Sequence, residues 1–437
     1  LPLSGMDWIS ETFRSDVGWS HLESLVDVGS RMAGSDGERR GLELTRDALE
    51  SAGAREARIE EFDIQGWARG TSQILAGDTI RDCIALPRSP SGTARGRFVD
   101  VGHGLPEDFE DADLEGAIVM ADSTVPGWYD RSLHRREKYY HAVERGAAAF
   151  VFRNHVEGCL PPTGSVGRDD APIGEIPAVG VSKEVGSRLA RRFDGEEVTV
   201  EVEADVHDAT SGIVRASVGP ETDERLLLTS HVDAHDISEG AMDNGAGTAT
   251  VVEIVNALTA REAELDTRVA IACFGAEEVG LKGSEHLAET TDRESIRAVV
   301  NLDGVCRSRT LSVTTHHVDA LAAATRRVRD RFDHPISIDP TMVPHSDHWP
   351  FVACGVPGLM VASESGADRG WGHTAADTLE KLETRDLREG AILLTELVVE
   401  LADSDESIPR LDGEDVADYL RTEGYAEGMR RTGDWPF

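Results

Sequence analysis

The chain has 437 residues and carries 81 Asp and Glu residues against 44 Lys and Arg residues, a formal net charge of −37. This charge excludes nucleic acid as a partner, because nucleic-acid binding depends on basic contacts to phosphates. No stretch reaches the roughly 18 uninterrupted apolar residues of a membrane helix, so we expect no membrane partner. Only four of the basic residues are lysines. Strong acidity with scarce lysine predicts a halophilic protein whose surface stays hydrated in molar salt.

The cysteines are scattered along the chain and form no CxxC pairs; they are Cys83, Cys159, Cys273, Cys306 and Cys354. Neither a disulfide framework nor a thiolate zinc site is expected from five such residues. The first ten residues, LPLSGMDWIS, contain no basic start followed by an apolar run. Together these features lead us to expect a cytoplasmic location.

The first part of the chain predicts helices, and the pattern of apolar and turn residues then changes. Apolar spacing indicates helices between Trp19 and Ala52, with a break at Ser30–Ser35, and then a strand at Ala57–Ile64. From residue 75 to 205, short apolar strands alternate with Gly and Pro turns, with one helix at 135–145. We therefore expect an inserted, small β-rich domain at 75–205, within a larger domain formed by 1–74 and 206–437.

The larger domain is predicted to be α/β. Buried strands begin at Leu226, Arg268 and Ala298, and an apolar helix spans Thr248–Leu258. Continuous apolar runs separated by helices predict a mostly parallel mixed sheet sandwiched by helices. The acidic run at 403–437 is expected to form one surface helix.

Polar motifs follow these strands, where open α/β sheets bind their ligands. His231 ends the first strand, and a neutral imidazole is a good zinc ligand that Asp233 can orient. Asp243 lies in a glycine-rich turn before the apolar helix and is best explained as a carboxylate that bridges metal ions. Each motif taken alone is as well explained by a structural role.

Three further motifs complete the set. Glu277 and Glu278 are adjacent acids after a buried strand, which is costly unless they are solvated, paired or bound to cations. One of them can ligate a metal while the other accepts a proton from water. Asp303 follows the next strand, and His373 stands in a Trp-Gly-His-Thr run near the C-terminus. Two histidines and three carboxylates suffice for a dinuclear site, leaving one glutamate as a base.

The ordered motifs resemble the M28 family of zinc metallopeptidases, which carries H-x-D, D-N-x-x-G, A-E-E-x-G, N-x-D and H-T-x-x-D-T in this order. All five occur here, over residues 206–401, together with the Arg31–Ser35 stretch. The insertion resembles a protease-associated (PA) domain at Gly146–Phe152 and Glu175–Ser182. The run from Asp236 resembles family members with an inserted PA domain, including the carboxypeptidase Q group. The resemblance implies a zinc exopeptidase fold with this insertion.

The resemblance also implies a role for each matching residue. One zinc ion would take His231 and Asp303, the other would take Glu278 and His373, and Asp243 would bridge both. Glu277 would be the general base acting on a metal-activated bridging water, with Asp233 orienting His231. A cis peptide would follow Asp243. Zinc is the default metal, while Co²⁺ or Mn²⁺ would also suit these ligands.

An oxyanion in the reaction needs a further donor. Relatives place a Tyr or His shortly before an S-D-[HY]-x-P-F motif, and His345 occupies that region here. We therefore expect His345 to be the donor, with His348 as the alternative. His235, Asp236, His316 and His317 are interpreted as structural or surface residues.

The leading interpretation is a di-zinc exopeptidase that cuts the terminal bond of a peptide, with an aminopeptidase favoured. A carboxypeptidase or dipeptidase of the same family remains open. A glutaminyl-cyclase-like acyl transferase is disfavoured, because that branch alters the ligand set that is intact here. A non-catalytic PA and peptidase-fold binding module is disfavoured for the same reason. The expected partner is a peptide substrate, and the sequence leaves the oligomeric state open.

Overall fold

The computed structural model describes residues 7–364, 371–403, 405 and 407–437. The chain forms two compact units. The first unit comprises Leu1–Ile64, Ala209–Ala367 and Asp377–Tyr419, and the second comprises Gln65–Asp208, Asp368–Ala376 and Leu420–Phe437. The second unit thus begins before the predicted boundary at residue 75 and also takes in C-terminal residues.

The described α-helices are numbered in chain order. They are α1 Asp7–Thr12, α2 Val17–Val26, α3 Asp36–Ser51, α4 Pro106–Glu110, α5 Arg135–Glu144, α6 Lys183–Phe193, α7 Ala246–Ala260, α8 Lys282–Thr290, α9 Asp319–Phe332, α10 Trp349–Val352, α11 Thr384–Ala402, α12 Gly413–Thr422 and α13 Tyr425–Thr432. No helix among the described residues is both long enough and apolar enough to cross a membrane.

The strands are numbered in the same way. They are β1 Arg55–Ala76, β2 Thr79–Arg81, β3 Ile84–Ala85, β4 Gly92–Asp100, β5 Ile118–Asp122, β6 Ala149–Arg153, β7 Ala178–Val181, β8 Glu197–Val218, β9 Arg225–His231, β10 Arg268–Phe274, β11 Ile296–Leu302, β12 Leu311–Thr314, β13 Ile336–Asp339 and β14 Gly358–Ser363.

The sheet of the first unit has four parallel strands at its centre, in the order β14, β11, β9, β10. The C-terminal part of β8 flanks β10 in the antiparallel sense, and β12 flanks β14 in the same way. All seven residues of β11 are buried, as expected for a strand covered on both faces. The predicted mostly parallel mixed sheet is confirmed.

Helix α7 packs in the interior of this unit. It contacts β9 as well as α2 and α11. Most of its residues are buried, including Thr248, Thr250 and Glu253, because it is covered all round. The predicted helix at Thr248–Leu258 is therefore confirmed. The two N-terminal helices with a break between them are also confirmed, as α2 and α3.

The strands of the second unit pair in the order β8, β4, β5, β6, β7, β3. Strands β4 to β7 are parallel, and β8 and β3 are antiparallel to their neighbours. Its core includes Phe109, Tyr139 and Phe150. The expectation of one helix at 135–145 is incomplete, since α4 and α6 also form here. Ser182 caps the N-terminus of α6, and its side chain accepts a hydrogen bond from the Val185 N–H, a local capping signal.

The single helix predicted at 403–437 is wrong. Two short helices, α12 and α13, form there and are separated at Gly424. Gly424 has φ of 83°, a left-handed conformation that ends a helix and that glycine adopts without steric cost. Helix α13 packs against α5 of the second unit, where Arg136 Nη1 lies 2.8 Å from Asp434 Oδ2.

Candidate metal centre

Three parallel strands of the first unit bring polar residues to one edge of the sheet. His231 ends β9, Glu277 follows β10, and Asp303 follows β11. The register pairs His231 with Phe274, three residues before Glu277. Because the carboxyl ends of parallel strands meet at the same edge, residues far apart in sequence converge there.

The first group of potential metal ligands consists of His231, Asp243 and Asp303. One ligand atom from each residue lies within 4.8 Å of the others. The Nε2 atom of His231 is 3.4 Å from Asp243 Oδ1 and 3.9 Å from Asp303 Oδ1. The imidazole is buried, with only 1% of its side chain exposed. One nitrogen and two carboxylates therefore face a common point.

The ring of His231 is oriented from its other side by Asp233. His231 Nδ1 lies 3.0 Å from the backbone oxygen of Asp233 and 3.5 Å from its Oδ1. The carboxylate of Asp233 also accepts the backbone N–H groups of Glu277 and Glu278, both at 3.1 Å. Asp233 thus connects the histidine loop to the turn that carries the two glutamates.

The backbone of Asp243 is held on two sides. Both oxygens of Asp377 accept backbone N–H groups, from Met242 at 2.7 Å and from Asp243 at 3.1 Å. The side-chain amide of Asn244 donates to the Leu302 carbonyl at 2.8 Å, directly before Asp303. The Asp243–Asn244 peptide is cis, as the resemblance implies.

His235 and Glu278 form a second pair of potential ligands in the first unit, and His373 belongs to the second unit. His235 Nε2 lies 2.8 Å from Glu278 Oε2, and both side chains are buried. His235, interpreted from the sequence as structural or surface, therefore stands among the candidate ligands. The alternation His231-x-Asp233-x-His235 is the signal that could have identified it.

The acids of the centre are difficult to ionise. Removal from water raises the pKa of Glu277 well above its usual value, and the charges of Glu278, Asp347 and Asp303 add to this. Burial likewise raises the pKa of Asp347 to about 7 and that of Asp377 to about 7. Clustered carboxylates in a buried place call for a compensating positive charge.

The acids of the centre favour the charged form of His231. Burial alone would lower the pKa of His231, but the charge of Glu277 and the carboxylates of Asp233, Asp243 and Asp303 raise it well above its usual value. Without a cation, the imidazole would carry the positive charge that these acids require.

The residues present fit a divalent cation. Nε2 of His231 is buried and has no hydrogen-bond partner among the described residues. It faces two carboxylates, and a zinc ion takes this combination of imidazole nitrogen and carboxylate oxygen. A cation there would satisfy the orphaned nitrogen and offset the acidic charge.

The region expected to supply an oxyanion donor lies between β13 and α10. His345 is exposed on this turn. His348 is buried, and its Nε2 lies 2.9 Å from the Val343 carbonyl. Burial lowers the pKa of His348 well below its usual value, so this ring is neutral. A neutral His348 has one N–H, and the Val343 carbonyl can accept it. The role of His345 remains a prediction.

Comparison with known protein families matches two segments of the chain. Residues 213–398 match peptidase family M28, and residues 89–189 match the PA domain. The first match contains His231, Asp243, Glu277, Glu278, Asp303 and His373. The second lies within the described second unit.

Curated relatives match the chain over much of its length. Aminopeptidase YwaD of Bacillus subtilis is 25% identical over 409 residues, covering 89% of this chain and 85% of the relative. The probable leucine aminopeptidase 2 of Aspergillus oryzae is 26% identical over 336 residues, covering 71% of this chain and 65% of the relative.

Solved structures share the fold. A Peptidase M28 precursor from Shewanella amazonensis superposes with a TM-score of 0.78 at 20% identity, over 93% of this chain and 97% of that one. BSAP, a zinc aminopeptidase from Bacillus subtilis, gives a TM-score of 0.71 at 23% identity, over 90% and 97%. The motifs and the fold agree with both segment matches: the chain contains a peptidase M28 domain at residues 213–398 and a PA domain at residues 89–189.

Proposed function

We propose that the chain is a zinc aminopeptidase, which releases the N-terminal residue of a peptide. The observation that carries this proposal is the buried convergence of His231, Asp243 and Asp303 beside Glu277 and Glu278. Relatives that match much of the chain are named aminopeptidases, which favours the N-terminal end of the substrate.

The ligand groups support two zinc ions. By the resemblance, His231 and Asp303 would hold one ion, Glu278 and His373 would hold the other, and Asp243 would serve both. The ligand atoms of His231, Asp243 and Asp303 lie within 4.8 Å of one another, which supports the first ion. When bound, the ions would polarise the scissile carbonyl and lower the pKa of water. His235 lies against Glu278 Oε2 and would restrict the orientation of that carboxylate.

Glu277 is the residue that would move the proton. Its neighbour Glu278 is assigned to a metal, so Glu277 remains to take a proton from the attacking water and pass it to the leaving amine. Asp233 holds the backbone of Glu277 in place.

The test combines metal dependence with end specificity. The protein would be stripped with a chelator in molar KCl, reloaded with zinc, and offered short peptides blocked at either end. We expect zinc to restore release of the first residue from C-blocked peptides, and N-blocked peptides to remain intact. Release only from a free C-terminus would replace the proposal with a carboxypeptidase. No hydrolysis with zinc bound would favour a binding module.

A further inference from the structure

Glu38 is a buried acid that the proposed reaction does not use. It is the third residue of α3, and only 1% of its surface is exposed. A buried carboxylate is costly unless its oxygens are hydrogen-bonded. Its contacts therefore indicate what it holds in place.

Both oxygens of Glu38 accept hydrogen bonds. Oε1 accepts from the Ala276 backbone N–H at 2.9 Å and from Ser211 Oγ at 2.8 Å. Oε2 accepts from the Gly34 backbone N–H at 2.7 Å. One side chain thus joins the start of α3 to β8 and to the turn after β10.

The turn after β10 is held through three consecutive backbone N–H groups. Glu38 accepts the first, from Ala276, and Asp233 accepts the next two, from Glu277 and Glu278. Ala276 has φ of 59°, in the left-handed region that residues with a side chain rarely adopt. Such a conformation persists where surrounding contacts enforce it, and the bond from Glu38 is one of them.

We propose that Glu38 is a positioning residue that sets the direction of the Glu277 side chain by fixing the backbone of Ala276. The inference rests on the proposed function, since it concerns the base of that reaction. Glu38 touches neither substrate nor metal in this role. It acts through the peptide unit that precedes Glu277.

A competing role for Glu38 is helix capping alone. Ser35 and Glu38 have the spacing of a capping box, in which the glutamate accepts the backbone N–H of the capping residue. Here the Ser35 N–H donates to the Met32 carbonyl, and Glu38 takes the Gly34 N–H with only one oxygen. The oxygen that reaches Ala276 lies outside any capping role.

The test compares three variants of the zinc-loaded, full-length enzyme. Glu38→Met removes every acceptor at similar size, while Glu38→Gln keeps one acceptor for the Ala276 N–H. Ser35→Ala is the matched control, because it removes the bond from the Glu38 N–H to Ser35 Oγ and leaves the Ala276 contact. The readouts are kcat, KM, the zinc affinity in competition with a chelating dye, and Tm.

We expect Glu38→Met to lower kcat by about 10- to 100-fold, since a small misplacement of a catalytic group has an effect of this order. KM and the zinc affinity should change by less than about twofold, because no substrate or metal contact is lost. Glu38→Gln should recover most of kcat. Ser35→Ala should lower Tm with kcat unchanged.

Four results would overturn the inference. One is a kcat for Glu38→Met within twofold of the wild type. Another is a loss of zinc affinity parallel to the loss of kcat, which would assign Glu38 to the metal ligands. A wild-type enzyme that is inactive on every peptide would overturn the proposed function together with this inference. This result differs from the first two, which require an active wild-type enzyme. If Glu38→Met does not fold, a kcat for Glu38→Gln as low as that of Glu277→Gln would overturn it.

Discussion

Single buried acids hold the backbone loops of the candidate metal centre. Asp233 accepts two N–H groups from the Glu277–Glu278 turn, and Asp377 accepts two from the loop that carries Asp243. A carboxylate that accepts backbone N–H groups forms stronger bonds than a neutral acceptor. Each of these acids therefore determines where a proposed ligand or base can point.

The first prediction concerns Glu277 itself. Glu277→Gln should lower kcat by about 10²- to 10⁴-fold, because an amide cannot take the proton from water. Zinc content should remain that of the wild type, since Glu277 is not among the proposed ligands. Steady-state kinetics and metal analysis of the same preparation would check both. The exposed Glu289→Gln is the control and should leave kcat unchanged.

The second prediction concerns Asp377. Asp377→Asn replaces one of two acceptor oxygens with a donor, so the N–H of Met242 or Asp243 loses its partner. We expect zinc affinity to fall by about 10- to 100-fold, the usual effect of removing a partner that orients a ligand. Competition with a chelating dye would measure this, with the exposed Glu380→Gln as control. An unchanged affinity would show that Asp243 keeps its place without Asp377.

At the scale of elements, three helices of the first unit meet at one buried acid. Glu396 on α11 lies 2.8 Å from Arg261 Nη1, just after α7, and also bonds Arg331 on α9. The side chains of Glu396 and Arg261 are 2% and 4% exposed. The Arg261 guanidinium stacks 4.4 Å above the ring of Trp8 on α1. Removing Glu396 would leave the buried Arg261 with only the half-exposed Glu264, 2.7 Å away, as a carboxylate partner.

The third prediction follows from this pairing. Glu396→Ala should lower the free energy of unfolding by about 3–5 kcal/mol, as expected when one partner of a buried pair is lost. The control is Glu400→Ala, one turn further along α11, whose pair with Arg327 is partly exposed. That change should cost at most about 1 kcal/mol. Denaturant unfolding in molar KCl would compare them, and equal losses would contradict the assignment.

For the whole molecule, net charge dominates the behaviour in solution. The formal charge is −37, and the fold is the one shared with the Peptidase M28 precursor from Shewanella amazonensis. Like charges on one compact surface repel one another and destabilise the folded state. Salt weakens this repulsion, because the Debye length falls from about 10 Å at 0.1 M to about 3 Å at 1 M.

The fourth prediction is therefore a dependence of stability on salt. The Tm should rise as KCl is increased from about 0.1 M to 1 M, because the shorter Debye length weakens the repulsion between surface charges. Scanning calorimetry at constant pH would measure it. An uncharged osmolyte at equal osmolality is the control and should give a smaller rise. A Tm that is highest at the lowest salt would contradict the halophilic interpretation.

The sequence alone determined the class of fold, the resemblance to peptidase family M28 and the chemistry of the candidate ligands. The motifs that contain His231 to His373 are short, and most of them stand directly after a buried strand. The place of such a motif in the fold follows from the apolar run that precedes it. The parallel strands then had to bring these ends together. Local signals failed at the C-terminus, where Gly424 divides the expected helix.

Only the tertiary structure decided which residues outside the proposed ligand set hold the loops of the metal centre. Glu38 contacts Ala276 across 238 residues, and Asp377 contacts Met242 across 135, distances over which no periodicity or spacing is visible. The sequence interprets His235 as structural or surface, and only the packed chain places its ring, buried, against Glu278. Burial and backbone hydrogen bonds between distant segments arise only when the chain is packed, and they gave these three residues their places.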